Sequence, residues 1–144
     1  GIPVTMSYGD VYTSLQTGII DGAESNETAL TTGKHGEICK VFSTDEHAMI
    51  PDVLVMSAKT WKNISPEDQQ VILEAAYEST ESHKVSWEAA ISEAISEAST
   101  DMNVEFVNDV DKEAFRQATS GMVDEYCKEY PGVQELLDII DSVE

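Results

Sequence analysis

The sequence predicts an α/β fold, and three observations carry that expectation. A helical pattern over Tyr8 to Thr17 leads into a brief apolar run, Ile19-Ile20, that stops at the turn pair Asp21-Gly22. A second apolar run, Val53-Leu54-Val55-Met56, has no polar alternation and reads as a strand buried on both faces. From Ser65 an unbroken helical pattern continues to about Thr100-Asp101. At its full length that helix reaches roughly 50 Å, whereas a compact globule of this many residues is about 37 Å across. One ball cannot contain it. Its apolar stripe agrees, because Val71, Ile72, Ala75 and Ala76 form one face and Trp87, Ala90, Ile91, Ala94, Ile95 and Ala98 continue it. Polar Ser79, Ser82 and His83 lie between them. One helix serving two separate cores across a wetter waist accounts for the pattern; a coiled-coil seam is the alternative, and large d-type residues are missing from it. The expected organisation is a segment of strands and short helices over residues 1–57, then the long helix, an edge strand and C-terminal helices over residues 58–144.

Each element follows from local chemistry. Pro3 to Met6 reads as a strand. Ser7 with Asp10 three residues on resembles a capping box, and Gly18 is a C′ signal, so Tyr8 to Thr17 forms a short helix. Val11 and Leu15 are its buried stripe, with Tyr8 and Tyr12 alongside. After the Ile19-Ile20 strand, Ala23, Glu24, Ser25 and Asn26 arrive at the sheet's C-terminal edge, where α/β folds place ligands. The same residues equally suit a cap and turn for the next helix, which runs from Asn26 to about Thr32. Gly33 and Gly36 interrupt that helix before Glu37-Ile38-Cys39-Lys40 resumes it. Val41 to Thr44 is a strand, Lys59 to Lys62 a short helix presenting Trp61, and Ser65 with Pro66, Glu67 and Asp68 a strong helix start. Val104 to Val107 is an edge strand. Asp111 opens a helix with Ala114, Phe115, Ala118, Met122 and Val123 expected inside. Tyr130-Pro131-Gly132 turns into a last amphipathic helix carrying Val133, Leu136, Leu137 and Ile140.

Twenty-eight acids against eight bases leave a formal charge of −20 and a pI near 4.1. Nucleic acid and anionic lipid are disfavoured as partners by repulsion. The acids are spread along helices, as on a solvated surface. No stretch is long and apolar enough to cross a bilayer as a helix. Cys39 and Cys127 are too few for a disulfide framework and read as free thiols, with a single disulfide as the alternative.

The run Tyr8-Gly9-Asp10-Val11-Tyr12-Thr13-Ser14-Leu15-Gln16-Thr17-Gly18-Ile19-Ile20-Asp21-Gly22-Ala23-Glu24 resembles the signature of the DctP-type solute receptors of TRAP transporters. The likeness continues through Thr44-Asp45-Glu46-His47, Pro51 to Ser57, Trp61 and the helix opening at Ser65. It implies part of a two-lobed, periplasmic-binding-protein-like (type II) fold in which a long helix lies along both lobes. It implies an extracytoplasmic receptor, in the periplasm or as a cell-surface lipoprotein, that captures an organic acid and hands it to TRAP membrane subunits without enzymatic chemistry or cofactor. Family members are longer, so the resemblance also implies a C-terminal fragment.

Carried onto this chain, the resemblance places Tyr8 at the cleft before the first helix and Ser25 where the family's carboxylate-contacting Asn stands, because the chain reads Glu24-Ser25-Asn26. Either Ser25 or Asn26 supplies that contact. His47 matches a cleft histidine of some members, and Ser25, Asn26 and His47 together suit a hydroxylated acid such as a hexuronate over a plain dicarboxylate. The family's carboxylate-binding arginine has no counterpart here. Arg116, the only arginine, lies in a C-terminal helix expected to face solvent. These 144 residues alone are therefore expected to bind an organic acid weakly or not at all.

No GxSxG, P-loop, GxGxxG or HExxH pattern occurs. His35 and Cys39 stand at i, i+4, but Gly36 lies between them and no third metal ligand is evident. Two other classes stay open. One is a helical interaction or dimerisation module with no small-molecule ligand, pairing through exposed apolar surface; the other is an enzyme using Asp21, Glu24 and His47 as an acid-base group.

Overall fold

The computed structural model describes residues 1–143. They group into two units: Gly1–Ser43 with Ile50–Val107, and Thr44–Met49 with the chain from Asn108 onward.

In the first unit, helix α1 (Tyr8–Gln16) begins at Ser7, whose backbone is extended. The expected capping-box bond is not made, because the Ser7 carbonyl, not its hydroxyl, accepts from the Asp10 N–H at 2.9 Å. At the other end Gly18 takes φ +70°, a conformation nearly free of penalty only for glycine. The Gly18 N–H then donates to Leu15 O and the Ile19 N–H to Ser14 O, closing the paired bonds of a Schellman ending. Val11 and Leu15 are buried, as their spacing predicts.

Helix α2 (Thr28–Thr31) is one turn long, and a 3₁₀ turn (His35–Glu37) follows. The expected resumption of the helix through Lys40 does not occur. Lys34 adopts a left-handed backbone at φ 59°, which redirects the chain, and a single 3₁₀ turn is all that forms before strand β1 (Val41–Ser43). Next come helix α3 (Ala58–Trp61), helix α4 (Pro66–Thr100) and strand β2 (Glu105–Val107). β1 and β2 pair in parallel with Phe42 opposite Phe106, whose rings are 5.4 Å apart.

Helix α4 spans 35 residues and is continuous through Ser79. Ser65 caps it by accepting from the Asp68 N–H at 3.1 Å while its own hydroxyl donates to the Asp68 carboxylate at 2.9 Å. Gln69 binds the first turn to the preceding loop, donating to the carbonyls of Trp61 and Ile64. At the far end Ala98 has no exposed surface, because Leu30 of α2 and Val104 close over it, with Phe42, Met102 and Phe106 packed around. A small side chain is what lets α2 approach α4 there.

Several sequence expectations need correction. Pro3–Met6, Ile19-Ile20 and Val53–Met56 form no ladder; among the described residues the sheet is two-stranded. A strand is stable only when a neighbouring strand takes its N–H and C=O groups; no described strand pairs with these segments, and the Ile19 and Ile20 N–H groups turn back to Ser14 O in the helix ending instead. Val53–Met56, expected at a sheet centre, is exposed instead, with Leu54 at 80%. The first-half stripe of α4 is likewise uncovered: Val71 and Ala75 are exposed, and Ile72 and Ala76 are only half-buried.

In the second unit Thr44 donates to the Asn108 side chain at 3.0 Å and Lys112 pairs with Glu46. Asp111 caps helix α5 (Lys112–Glu129) by accepting from the Ala114 N–H at 3.0 Å, and α6 (Gly132–Asp141) follows the Tyr130-Pro131 turn. The apolar face expected inside α5 is not buried, with Phe115, Met122 and Val123 all exposed. Only α6 packs against that helix in quantity, and it does not cover this face. Cys39 and Cys127 are free thiols.

Candidate functional site

The Gly18 ending of α1 throws the chain through Asp21 and Gly22 to Ser25 and Asn26, at the mouth of α2. A pocket of about 260 Å³ opens there, lined in part by Asp21, Ser25, Asn26, His35, Lys40 and Phe42. Its volume sits a little below the usual range for small-molecule sites, which start near about 300 Å³. A monosaccharide-sized ligand is on that scale.

Asn26 realises the cap-and-turn alternative directly. Its side-chain oxygen accepts from the Thr28 N–H at 3.1 Å and from the Thr28 hydroxyl at 2.7 Å. Only the amide N–H groups of Asn26 are left for a ligand. Ser25, half-buried on the pocket wall, keeps its hydroxyl as both donor and acceptor. Ser25 and Asn26 are thus brought to one cavity, while Glu24 lies exposed on the segment between them and Ala23.

Tyr8 stands beside the pocket through His35: the two rings are 5.8 Å apart and tilted. A Cβ added at Gly33 would lie 2.6 Å from the Tyr8 hydroxyl and 2.6 Å from the Ala29 carbonyl oxygen, so glycine there is what allows Tyr8 to close over the end of α2. Tyr12, one turn on, donates to the Glu37 carboxylate at 2.6 Å and clips α1 to the 3₁₀ turn. That bond and the adjacent negative charge raise the Tyr12 phenol above its ordinary value.

Two lining residues carry chemistry that the sequence reading assigned elsewhere or passed over. His35 is 5% exposed, and while its backbone carbonyl accepts from the Ile38 and Cys39 N–H groups, its imidazole makes no hydrogen bond to a described protein group. Burial pushes its imidazole below the usual histidine range, because the charged form loses its hydration. Lys40 donates to the carbonyls of Gly36 at 2.7 Å and Met102 at 2.8 Å, and so binds the 3₁₀ turn to the α4–β2 loop. An ammonium has three donors, and the pocket lining holds this fixed positive charge as well as the acid of Asp21. On sequence alone His35 and Cys39 are set aside as a metal site; Gly33 and Gly36, read there as helix interruptions, mark a turn packed too closely for side chains.

His47 belongs to the second unit, where its Nδ1 lies 2.9 Å from Asp45 Oδ1. That hydrogen bond holds the Asp45 carboxyl below the usual carboxylate range. Arg116, also in that unit, is 73% exposed and 3.7 Å from Glu113, one helical turn away, as expected for a solvent-facing residue.

Residues 1–129 match DctP, the bacterial extracellular solute-binding protein family 7. The chain belongs to this family. It is 43% identical over 122 residues to protein YiiZ of Salmonella typhimurium, an alignment taking in 85% of the chain and 37% of YiiZ. Among solved structures of TRAP periplasmic solute-binding proteins, one from Anaerococcus prevotii with bound D-glucuronate is 36% identical, with a TM-score of 0.91 over 96% of the chain and 44% of its own. One from Chromohalobacter salexigens, also with D-glucuronate, is 30% identical, with a TM-score of 0.93 over 98% of the chain and 46% of its own. The chain therefore spans less than half the length of these family 7 proteins, and its α/β architecture with one long helix is part of their fold.

Proposed function

We propose that the whole protein is the extracytoplasmic receptor of a TRAP transporter, capturing an organic acid between two lobes and delivering it to membrane subunits. The observation that carries this reading is the pocket at Ser25 and Asn26. It is built partly on the run that resembles the family's signature, and hydroxyl, amide, imidazole, ammonium and carboxylate groups line it. Such a set binds a polyhydroxylated, charged solute by many directional contacts. D-glucuronate in the two related structures favours a sugar acid over a dicarboxylate.

In this reading Ser25 makes the contact that Asn makes elsewhere in the family, Asn26 holds α2 in place and offers its amide, and Tyr8 shapes the edge. Glu24, next to Ser25 in the sequence, and His47 remain ligand-contacting candidates of this reading on the strength of the family resemblance alone. Binding, not bond-making, is the work of the site. The ligand favours the closed arrangement of lobes because it touches both, and its differential affinity for that arrangement sets the extent of closure. The receptor resides in the periplasm or is held at the cell surface as a lipoprotein.

A bidentate arginine supplies much of the affinity for a carboxylate, and Arg116 is spent on the exposed face of α5. Titration calorimetry with D-glucuronate, D-galacturonate and succinate tests the reading. The full-length receptor should show saturable binding of at least one hexuronate, and the 144-residue chain should show none. A full-length protein that binds no organic acid overturns the assignment.

A further inference from the structure

We infer that His35 is a ligand-contacting, specificity-determining residue of the strand-end pocket, hydrogen-bonding a hydroxyl of the bound sugar acid. The inference rests on the receptor reading above and goes beyond it, since His35 belongs to no part of the signature that suggested that reading. Three observations converge on this side chain. It is nine-tenths buried and lines the cavity together with Ser25 and Asn26. Its imidazole makes no hydrogen bond to a described protein group. Yet no described buried side-chain nitrogen is both sealed from solvent and without a partner. The ring nitrogens of His35 therefore retain access to a partner that is not protein.

A buried polar group left unpaired is costly, and folded chains rarely keep one without a use. The local backbone is arranged to hold the ring where it is. The left-handed turn at Lys34 starts the 3₁₀ turn, Gly33 admits the Tyr8 hydroxyl, and the Tyr8 ring leans on the imidazole at 5.8 Å. Neutral imidazole carries one donor and one acceptor, which matches a sugar hydroxyl, itself both donor and acceptor. Lys40, also in the lining, leaves the ring to read hydroxyls and supplies the positive charge for an anionic group.

The experiment uses the full-length receptor, its His35→Phe variant and its His35→Gln variant, with D-glucuronate and its monodeoxy analogues as probes. Phe keeps the ring against Tyr8 and removes both nitrogens, and Gln restores a donor and an acceptor. We expect His35→Phe to weaken D-glucuronate binding by about tenfold, the scale of one lost hydrogen bond, with the melting temperature unchanged or raised. His35→Gln should regain part of the affinity. At least one monodeoxy analogue should bind wild type more weakly than D-glucuronate does and bind His35→Phe no more weakly, since the hydroxyl and the imidazole are partners. Wild-type binding with unaltered affinity and unaltered analogue discrimination in His35→Phe overturns the role of His35 and leaves the receptor reading standing. Failure of the wild type to bind any hexuronate overturns that reading itself.

Discussion

Asn26 shows how one residue can satisfy two readings of a sequence. Its side-chain oxygen holds the first turn of α2 through Thr28, so Asn26→Ala should cost about 1 kcal/mol of stability, the usual worth of such a cap. Asn26→Asp, which keeps the acceptor, should restore most of it; urea midpoints of the three proteins are the measurement. His35 titrates in the opposite sense to a paired histidine. Its folded value lies below the ordinary histidine value because burial disfavours the charged ring. The unfolded chain therefore binds the proton first, and acidification from neutrality through about pH 6 should remove stability. Comparing urea midpoints at pH 7.5 and 5.5, wild type should lose more than His35→Phe, and an equal loss in both would show that His35 titrates as in the unfolded chain. Sequence made Ser25 and Asn26 visible because a turn pair and a family signature mark them. It left Lys40 and His35 obscure, because their places depend on a left-handed residue at Lys34 and on carbonyls as distant as that of Met102.

At the scale of elements, helices were more legible than strands, although the strands at Val41–Ser43 and Glu105–Val107 stand where the sequence placed them. The start of α4 follows from Ser65 and Pro66, read from local capping chemistry, and its end lies where the helical pattern was expected to give out, at about Thr100-Asp101. A strand depends on a neighbour that its own sequence does not contain, so Val53–Met56 has strand-like composition and no ladder. The register of Phe42 with Phe106 joins residues on either side of the long helix and had no local signature. Burial along α4 is similarly a matter of neighbours: Ala94 and Ala98 are buried where α2 arrives, while Val71 is 62% exposed. This asymmetry predicts the response to enlargement. Ala98→Leu must displace Leu30 and Val104, with a cost of about 1–3 kcal/mol for overpacking. Ala75→Leu, on the exposed half, should be within about 0.5 kcal/mol of wild type. Thermal unfolding followed by circular dichroism distinguishes the two, and equal effects would contradict the one-sided packing of the helix.

For the whole molecule the dominant fact is charge. Eight basic side chains face twenty-eight acids, and among the described residues the ion pairs are few: Lys84 with Glu81 and Arg116 with Glu113 are each one helical turn apart, and Lys112 with Glu46 joins distant parts of the sequence. Exposed pairs of this kind contribute little, so the net balance of −20 acts mainly as self-repulsion that opposes the folded state. Screening weakens it, because the Debye length falls from about 30 Å at 0.01 M salt to about 8 Å at 0.15 M. The 144-residue chain should therefore gain stability as sodium chloride rises across that range, with most of the gain complete near the upper end. Urea midpoints measured at fixed pH along the series provide the check. A midpoint that stays level or falls would mean that favourable charge pairing outweighs repulsion, contrary to the distribution of acids along α4 and α5. The sign of this effect reverses for a protein held together by ion pairs, which is why the salt series, more directly than any single substitution, tests whether the acidic surface is a solvated one.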